Sequence, residues 1–152
     1  MDKQRFLITG GSQGIGSALV RLAKTQGHDI VFTGRNQNLI DNVATKTGAI
    51  GIRADVSVGE DNQRAVDACV ERFGGIDVLV NNAAFGYLAE LGEIDMAQMK
   101  SLFDTNVFGL VDLANRVAPL MKQQLSGAII NISSTSGIKG SKSQTVYGGS
   151  KW

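Results

Sequence analysis

Tyr147 and Lys151 stand four residues apart in a chain of 152 residues, and together they suit proton chemistry. On a helix, positions i and i+4 share a face. A phenol with a pKa near 10 is a poor acid or base at neutral pH. A neighbouring ammonium favours the phenolate and brings the group toward a useful range. Shortly upstream, Asn131-Ile132-Ser133-Ser134 offers two hydroxyls. Either one can donate to a carbonyl oxygen and stabilise developing alkoxide charge, and spacing alone does not separate Ser133 from Ser134. A Tyr-x-x-x-Lys pair by itself is a common accident of a solvated helix. Its weight comes from what precedes it.

Near the start, Thr9-Gly10-Gly11-Ser12-Gln13-Gly14-Ile15-Gly16 lies between an apolar run and a helical pattern. Glycines there let the turn tighten and let backbone approach a pyrophosphate, which the free N–H groups of the helix N-terminus then hold. No Gly-Lys-Ser/Thr follows, so this is not a Walker loop. In dinucleotide folds, an acidic residue closing the second strand contacts the adenosine ribose and selects NAD. That position is Gly34 here, followed by Arg35, and Thr33 to Gln37 contains no Asp or Glu. A guanidinium pairs with a ribose 2′-phosphate through two charge-assisted hydrogen bonds, so NADP(H) is expected in preference to NAD(H). Asp55-Val56 after a third strand and Asn82-Ala83 after a fourth fall at carboxyl ends, where crevice residues lie.

The elements that must position these groups follow from the apolar pattern. Short buried strands are expected at Arg5–Thr9, Asp29–Thr33, Ala49–Ala54, Ile76–Val80 and Ala128–Ile132. Between them run helical patterns from Ile15 to Gly27, Asn38 to Thr47, about Glu60 to Phe73, and Met96 to Leu125, the last with Pro119 near its end as an expected kink. Strands alternating with helices imply an α/β, Rossmann-like, doubly wound parallel sheet of order 3-2-1-4-5, formed as one domain over 1–152. The ligand crevice belongs between strands one and four, where the order reverses.

Composition narrows the function classes. Fifteen basic against 14 acidic side chains leave a net charge of +1, no footprint for nucleic acid. No apolar run approaches a membrane span and no signal peptide opens the chain, so a cytoplasmic protein with no membrane partner is expected. One His and one Cys give no His or Cys metal cluster. His28 and Cys69 read as structural.

Four motifs in register carry a resemblance. These are Thr9 to Gly16, Asn81-Asn82-Ala83-Ala84, Asn106 within Asp104-Thr105-Asn106-Val107-Phe108-Gly109, and Ser134 thirteen residues before Tyr147-x-x-x-Lys151. Over its whole length the chain resembles the short-chain dehydrogenase/reductase family, departing at Ala84, where the family usually has Gly. The resemblance implies an NAD(P)H-dependent oxidoreductase that interconverts a carbonyl and an alcohol by hydride transfer. It implies Tyr147 as general acid/base and Ser134, rather than Ser133, as the group orienting substrate oxygen. Lys151 would hold the nicotinamide ribose and lower the Tyr147 pKa, and Asn106 would interrupt the long helix and anchor a proton-relay water. Asp55 would meet the adenine amine, and Asn82 would lie along the cofactor. A homo-oligomer is implied, with the helix bearing Asn106 at the subunit contact. Because the sequence ends one residue past Lys151, the C-terminal strands are expected to be missing. The alternative expectation is therefore a catalytically impaired nucleotide-binding fragment.

Overall fold

Successive side chains of a strand point to opposite sheet faces, and this alternation sorts the apolar residues into two cores. A computed structural model describes residues 2–152. In β1 (Arg5–Ile8), Leu7 joins a cluster with Ala65, Val66, Leu113 and Val117, whereas Ile8 joins Val20, Ile40 and Val43. In β2 (Asp29–Gly34), Val31 faces the first cluster, and Ile30 and Phe32 face the second. β4 (Val78–Asn81) repeats the division, with Leu79 on one side and Val78 and Val80 on the other. β3 (Ile50–Arg53) and β5 (Ala128–Asn131) complete a wholly parallel sheet of order β3-β2-β1-β4-β5.

The helices that supply these cores follow from their apolar stripes. α1 (Gly14–Thr25) and α2 (Gln37–Thr47) cover one face. α3 (Gly59–Phe73) and α5 (Leu110–Gln124) cover the other. This is the doubly wound, Rossmann-like architecture, with strand order reversing between β1 and β4. Each apolar run is trimmed or shifted slightly. β4, for example, begins at Val78 rather than Ile76, after Asp77 has turned its carboxylate onto the Arg5 backbone N–H (2.8 Å) and Nε (2.9 Å).

The long helical stretch is not one α-helix. α4 (Met96–Phe103) passes into a π-helical turn at Asp104–Gly109 and only then into α5. Pro119 sits inside α5, which continues past it to Gln124. A three-residue 3₁₀ turn (Thr135–Gly137) and α6 (Thr145–Lys151) follow β5. β5 pairs only with β4, and its Ile129 and Ile130 are exposed. Along this stretch Leu102, Leu113, Val117 and Met121 are buried, while Phe108, Val111 and Leu125 are exposed. Among the described residues no helix is long and apolar enough to cross a membrane.

Candidate functional site

The carboxyl ends of β1 and β4 are tied together by one buried hydroxyl. Thr9 Oγ1 accepts from the backbone N–H groups of Asn82 and Ala83, each at 3.0 Å. Asn82 returns the contact, its side-chain amide donating to Thr9 O at 2.8 Å and Gly10 O at 3.3 Å. The glycine-rich turn is therefore held from below by the opposite strand. Gly10 and Gly14 take positive φ, 64° and 53°, which the turn into α1 requires. At Gly16 a Cβ would strike the Gly10 carbonyl and the Asn82 amide, so its role is to let α1 start tight against the strand ends. The Gln13 side chain makes no cap bond to α1, which leaves first-turn N–H groups and the positive end of the helix dipole facing outward.

Beside this turn lies a cavity of about 260 Å³. It gathers ten of the residues expected to bind cofactor: Gly10, Ser12, Gln13, Gly14, Ile15, Arg35, Asp55, Val56, Asn82 and Ala83. Gly16 is not among its lining residues, being packed behind the turn; nor are Tyr147 and Lys151. Thr33, Gly34, Ala54, Ala84, Phe85 and Thr105 also line it; of these Gly34, Ala84 and Thr105 fall within the segments singled out in the sequence, though none was expected to bind cofactor. At the far end Arg35 Nη1 lies 3.7 Å from Asp55 Oδ2, with the Arg35 side chain 69% exposed. Asp55 also accepts from Ser57 N at 3.0 Å and Ser57 Oγ at 2.7 Å, so its carboxylate is already part of a turn.

The second group of expected residues assembles around the π-helical turn. Asn106 is buried, and its amide is fully used. Its Oδ1 accepts from Phe85 N at 3.1 Å, and its Nδ2 donates to Phe85 O and Ser150 Oγ, both at 3.0 Å. Ser150 Oγ donates onward to the Tyr147 carbonyl at 2.8 Å. A chain of hydrogen bonds thus runs from the segment after β4, through the π-helical turn, into α6. Lys151 Nζ donates to Ile132 O at 2.9 Å, which is its one hydrogen bond among the described residues. Burial lowers the Lys151 pKa. The expected ammonium–phenol contact is therefore not the bond this ammonium makes. Ser133 Oγ donates to Lys151 O at 2.6 Å, while Ser134 Oγ accepts from Ser136 N at 3.2 Å and caps the 3₁₀ turn. Asn106, Ile132, Ser133, Ser150 and Lys151 line a second cavity of about 220 Å³, and Ser134 and Tyr147 are not part of its wall.

The model of the short chain dehydrogenase family matches residues 4–152. The chain belongs to the short-chain dehydrogenase family. Among curated relatives it is 33% identical over 147 residues to an uncharacterized oxidoreductase of Staphylococcus epidermidis, covering 95% of this chain and 64% of that protein. An uncharacterized oxidoreductase of Staphylococcus aureus is 30% identical, with the same coverage. Of the solved structures, a short-chain dehydrogenase from Streptomyces avermitilis superposes with a TM-score of 0.93 at 30% identity, covering 99% of this chain and 56% of that one. Serine dehydrogenase from Escherichia coli gives 0.90 at 30% identity, covering 96% and 69%. A closed form of serine dehydrogenase complexed with NADP+ gives 0.91 at 30% identity, covering 96% and 60%. The chain spans 64% of the length of the curated relatives it matches.

A dinucleotide fits what this chain presents. The outward N–H groups of α1 suit a pyrophosphate, and the bare backbone at Gly10 and Gly14 permits its approach. Gly14 has nothing within 4 Å of where a Cβ would stand, so that approach is open. Cys69 and His28, the single thiol and imidazole, lie elsewhere and are buried. Burial pushes the Cys69 thiol up to about 12, and His28 Nδ1 accepts from Gln4 N at 3.1 Å. Both are structural.

Proposed function

We propose that the chain is the nucleotide-binding and proton-handling part of an NADP(H)-preferring oxidoreductase that interconverts a carbonyl and an alcohol. The observation that carries the cofactor preference is Arg35 at the cleft wall beside Gly34, where an NAD-selecting carboxylate would otherwise project. When bound, the nicotinamide supplies or takes up the hydride. The remaining chemistry falls to this chain's own groups. The Tyr147 phenol exchanges the proton of the substrate oxygen. Ser134 donates to that oxygen, and Lys151 holds ribose hydroxyls beside the phenol. Asn106 fixes the relation of α6 to the segment after β4. For Ser134 to act, its hydroxyl gives up its place as acceptor from Ser136 N. Hydroxyl and amine side chains supply these roles without a metal. The substrate is a small-molecule carbonyl or alcohol, not a nucleic acid or membrane, and the protein works in the cytoplasm. Exposed Phe108 and Val111 are the apolar side chains a second subunit would cover in a homo-oligomer.

One observation favours a second reading, a domain that binds nucleotide without turnover: Ser134 and Tyr147 stand outside the cavity lined by Asn106 and Lys151. Fluorescence titration with NADPH and NADH, alongside NADPH consumption with aldehydes and ketones, separates the two. NADPH is expected to bind more tightly, and Arg35→Ala to remove most of that difference. Equal affinities in the wild type refute the cofactor preference. Tight NADPH binding with no consumption by any carbonyl favours the second reading.

A further inference from the structure

Next to the cofactor cavity, and sharing Arg35, Ala54 and Asp55 with it, is a pocket of about 360 Å³ whose remaining walls are Arg53, Asp61 and Arg64. Three guanidiniums face two carboxylates there. Arg64 and Asp61 satisfy one another, with Nη1 to Oδ1 at 2.7 Å, while Arg64 Nη2 donates to Arg53 O at 3.2 Å and Asp61 Oδ2 accepts from Asp55 N at 2.8 Å. Asp55 is shared between Ser57 and Arg35. Arg53 is the cation left over, with no carboxylate within 4.0 Å among the described residues.

Its backbone is fixed by the sheet. Arg53 pairs in register with Gly34 across the β2–β3 ladder, and Ala54 N donates to Gly34 O at 2.9 Å. Arg53 Nε donates to the Arg35 carbonyl at 3.3 Å, so its guanidinium is anchored to the backbone of the neighbouring arginine. Among the described residues both terminal nitrogens of that guanidinium are without a hydrogen-bond partner. Two arginines lining one pocket, one with spare donors, fit a phosphomonoester dianion better than a neutral ribose hydroxyl.

We infer that Arg53 is a second determinant of cofactor preference, donating with Arg35 to the ribose 2′-phosphate. The inference rests on the NADP(H) reading above and adds to it the residue that shares the charge. It is tested by calorimetric titration of adenosine 2′,5′-bisphosphate and adenosine 5′-monophosphate into the wild-type chain, Arg35→Ala, Arg53→Ala and Arg53→Lys. The bisphosphate is expected to lose about tenfold in affinity with Arg53→Ala, as for one charge-assisted contact, while the monophosphate changes less than about twofold. Arg53→Lys should recover part of the loss, since it keeps the charge but not the Nε bond. Unchanged thermal melting confirms that the variants remain folded. An unaltered bisphosphate affinity in Arg53→Ala, or equal losses for the two ligands, overturns the role of Arg53. If Arg35→Ala still abolishes the preference, the NADP(H) reading stands without Arg53. Equal binding of both ligands by the wild type overturns both.

Discussion

Asn106→Ala removes a buried amide whose partners cannot replace it, and its cost is calculable. The side chain is 3% exposed and makes three hydrogen bonds. Its loss strands the N–H and C=O of Phe85, while Ser150 keeps its donor bond to Tyr147 O. A buried group left unpaired costs about 1–3 kcal/mol. Phe85 is only partly buried, so the lower half of that range applies to each of its two groups. The two groups together give about 2–4 kcal/mol. For a domain of this size that corresponds to a melting temperature lower by roughly 5–15 °C. Urea unfolding followed by circular dichroism measures it, with Lys100→Ala as a control on the same helical stretch. Lys100 pairs with Asp104 at 2.7 Å but is 75% exposed, so its removal should cost less than about 1 kcal/mol. Hydrogen exchange gives a local readout: the Phe85 amide should exchange faster in Asn106→Ala than in the control. A loss below about 1 kcal/mol, or an unchanged Phe85 rate, would refute the assignment of Asn106 as the tie between β4 and α6.

Gly16→Ala should abolish nucleotide binding and lower stability by more than about 2 kcal/mol, because its Cβ meets the Gly10 carbonyl as well as the hydrogen-bonded Asn82 amide; titration and melting check both. Arg5 holds the Asp77 carboxyl below the ordinary carboxylate range, chiefly through their side-chain hydrogen bond. That pair's contribution is present above the unfolded value near pH 4 and is lost as pH falls through the lower folded value. Asp77→Asn should therefore cost about 1–2 kcal/mol at pH 7 and show a shallower acid limb in urea midpoints measured from pH 6 to pH 2. Cys69, buried and with its thiol pushed up to about 12, should resist a thiol reagent at pH 8 until urea unfolds the chain. Rapid labelling of the native protein would show that α3 does not pack as described.

The parts of the fold legible in the residues were those set by period. Leu7-Ile8, Ile30-Val31-Phe32 and Leu79-Val80 are unbroken apolar runs, which mark strands buried on both faces, and only the fold shows how they divide between two cores. The loop glycines and Arg35 were legible because backbone geometry and charge are local properties. What pattern could not reveal were long-range polar pairings. Thr9 reads as the last residue of a strand, yet it ties Asn82 and Ala83 across 73 and 74 residues. Asn62 looks like one more polar residue on a charged helix, but it is buried and donates to Val56 O and Asp112 Oδ2, each at 2.8 Å. The apolar stripe of the π-helical turn would also suit a continuous α-helix, so the interruption at Asn106 came only from the resemblance and not from the period. Ser150 sits inside the Tyr147–Lys151 motif as a spacer, and only the fold shows it receiving Asn106.

Gly34 was read as the place where an acidic side chain is lacking, but the fold makes it a place where none can be added alone. A Cβ there would lie 2.5 Å from Ser12 Oγ and 2.8 Å from Ser12 Cβ, with Ile40 Cγ1 at 3.3 Å. Ser12 is itself a member of the phosphate loop, so it cannot simply swing away while the loop keeps its shape. The mutational path from one coenzyme to the other is therefore ordered. A change at residue 12 to glycine has to come first, and only then does Gly34→Asp or Gly34→Glu become sterically accessible. On the NADP(H) reading proposed above, Ser12 and Gly34 constrain one another, so an acidic change at position 34 is coupled to the residue at position 12. Saturation libraries confined to position 34 should return almost only glycine, and the same library on a Ser12→Gly background should open to acidic residues.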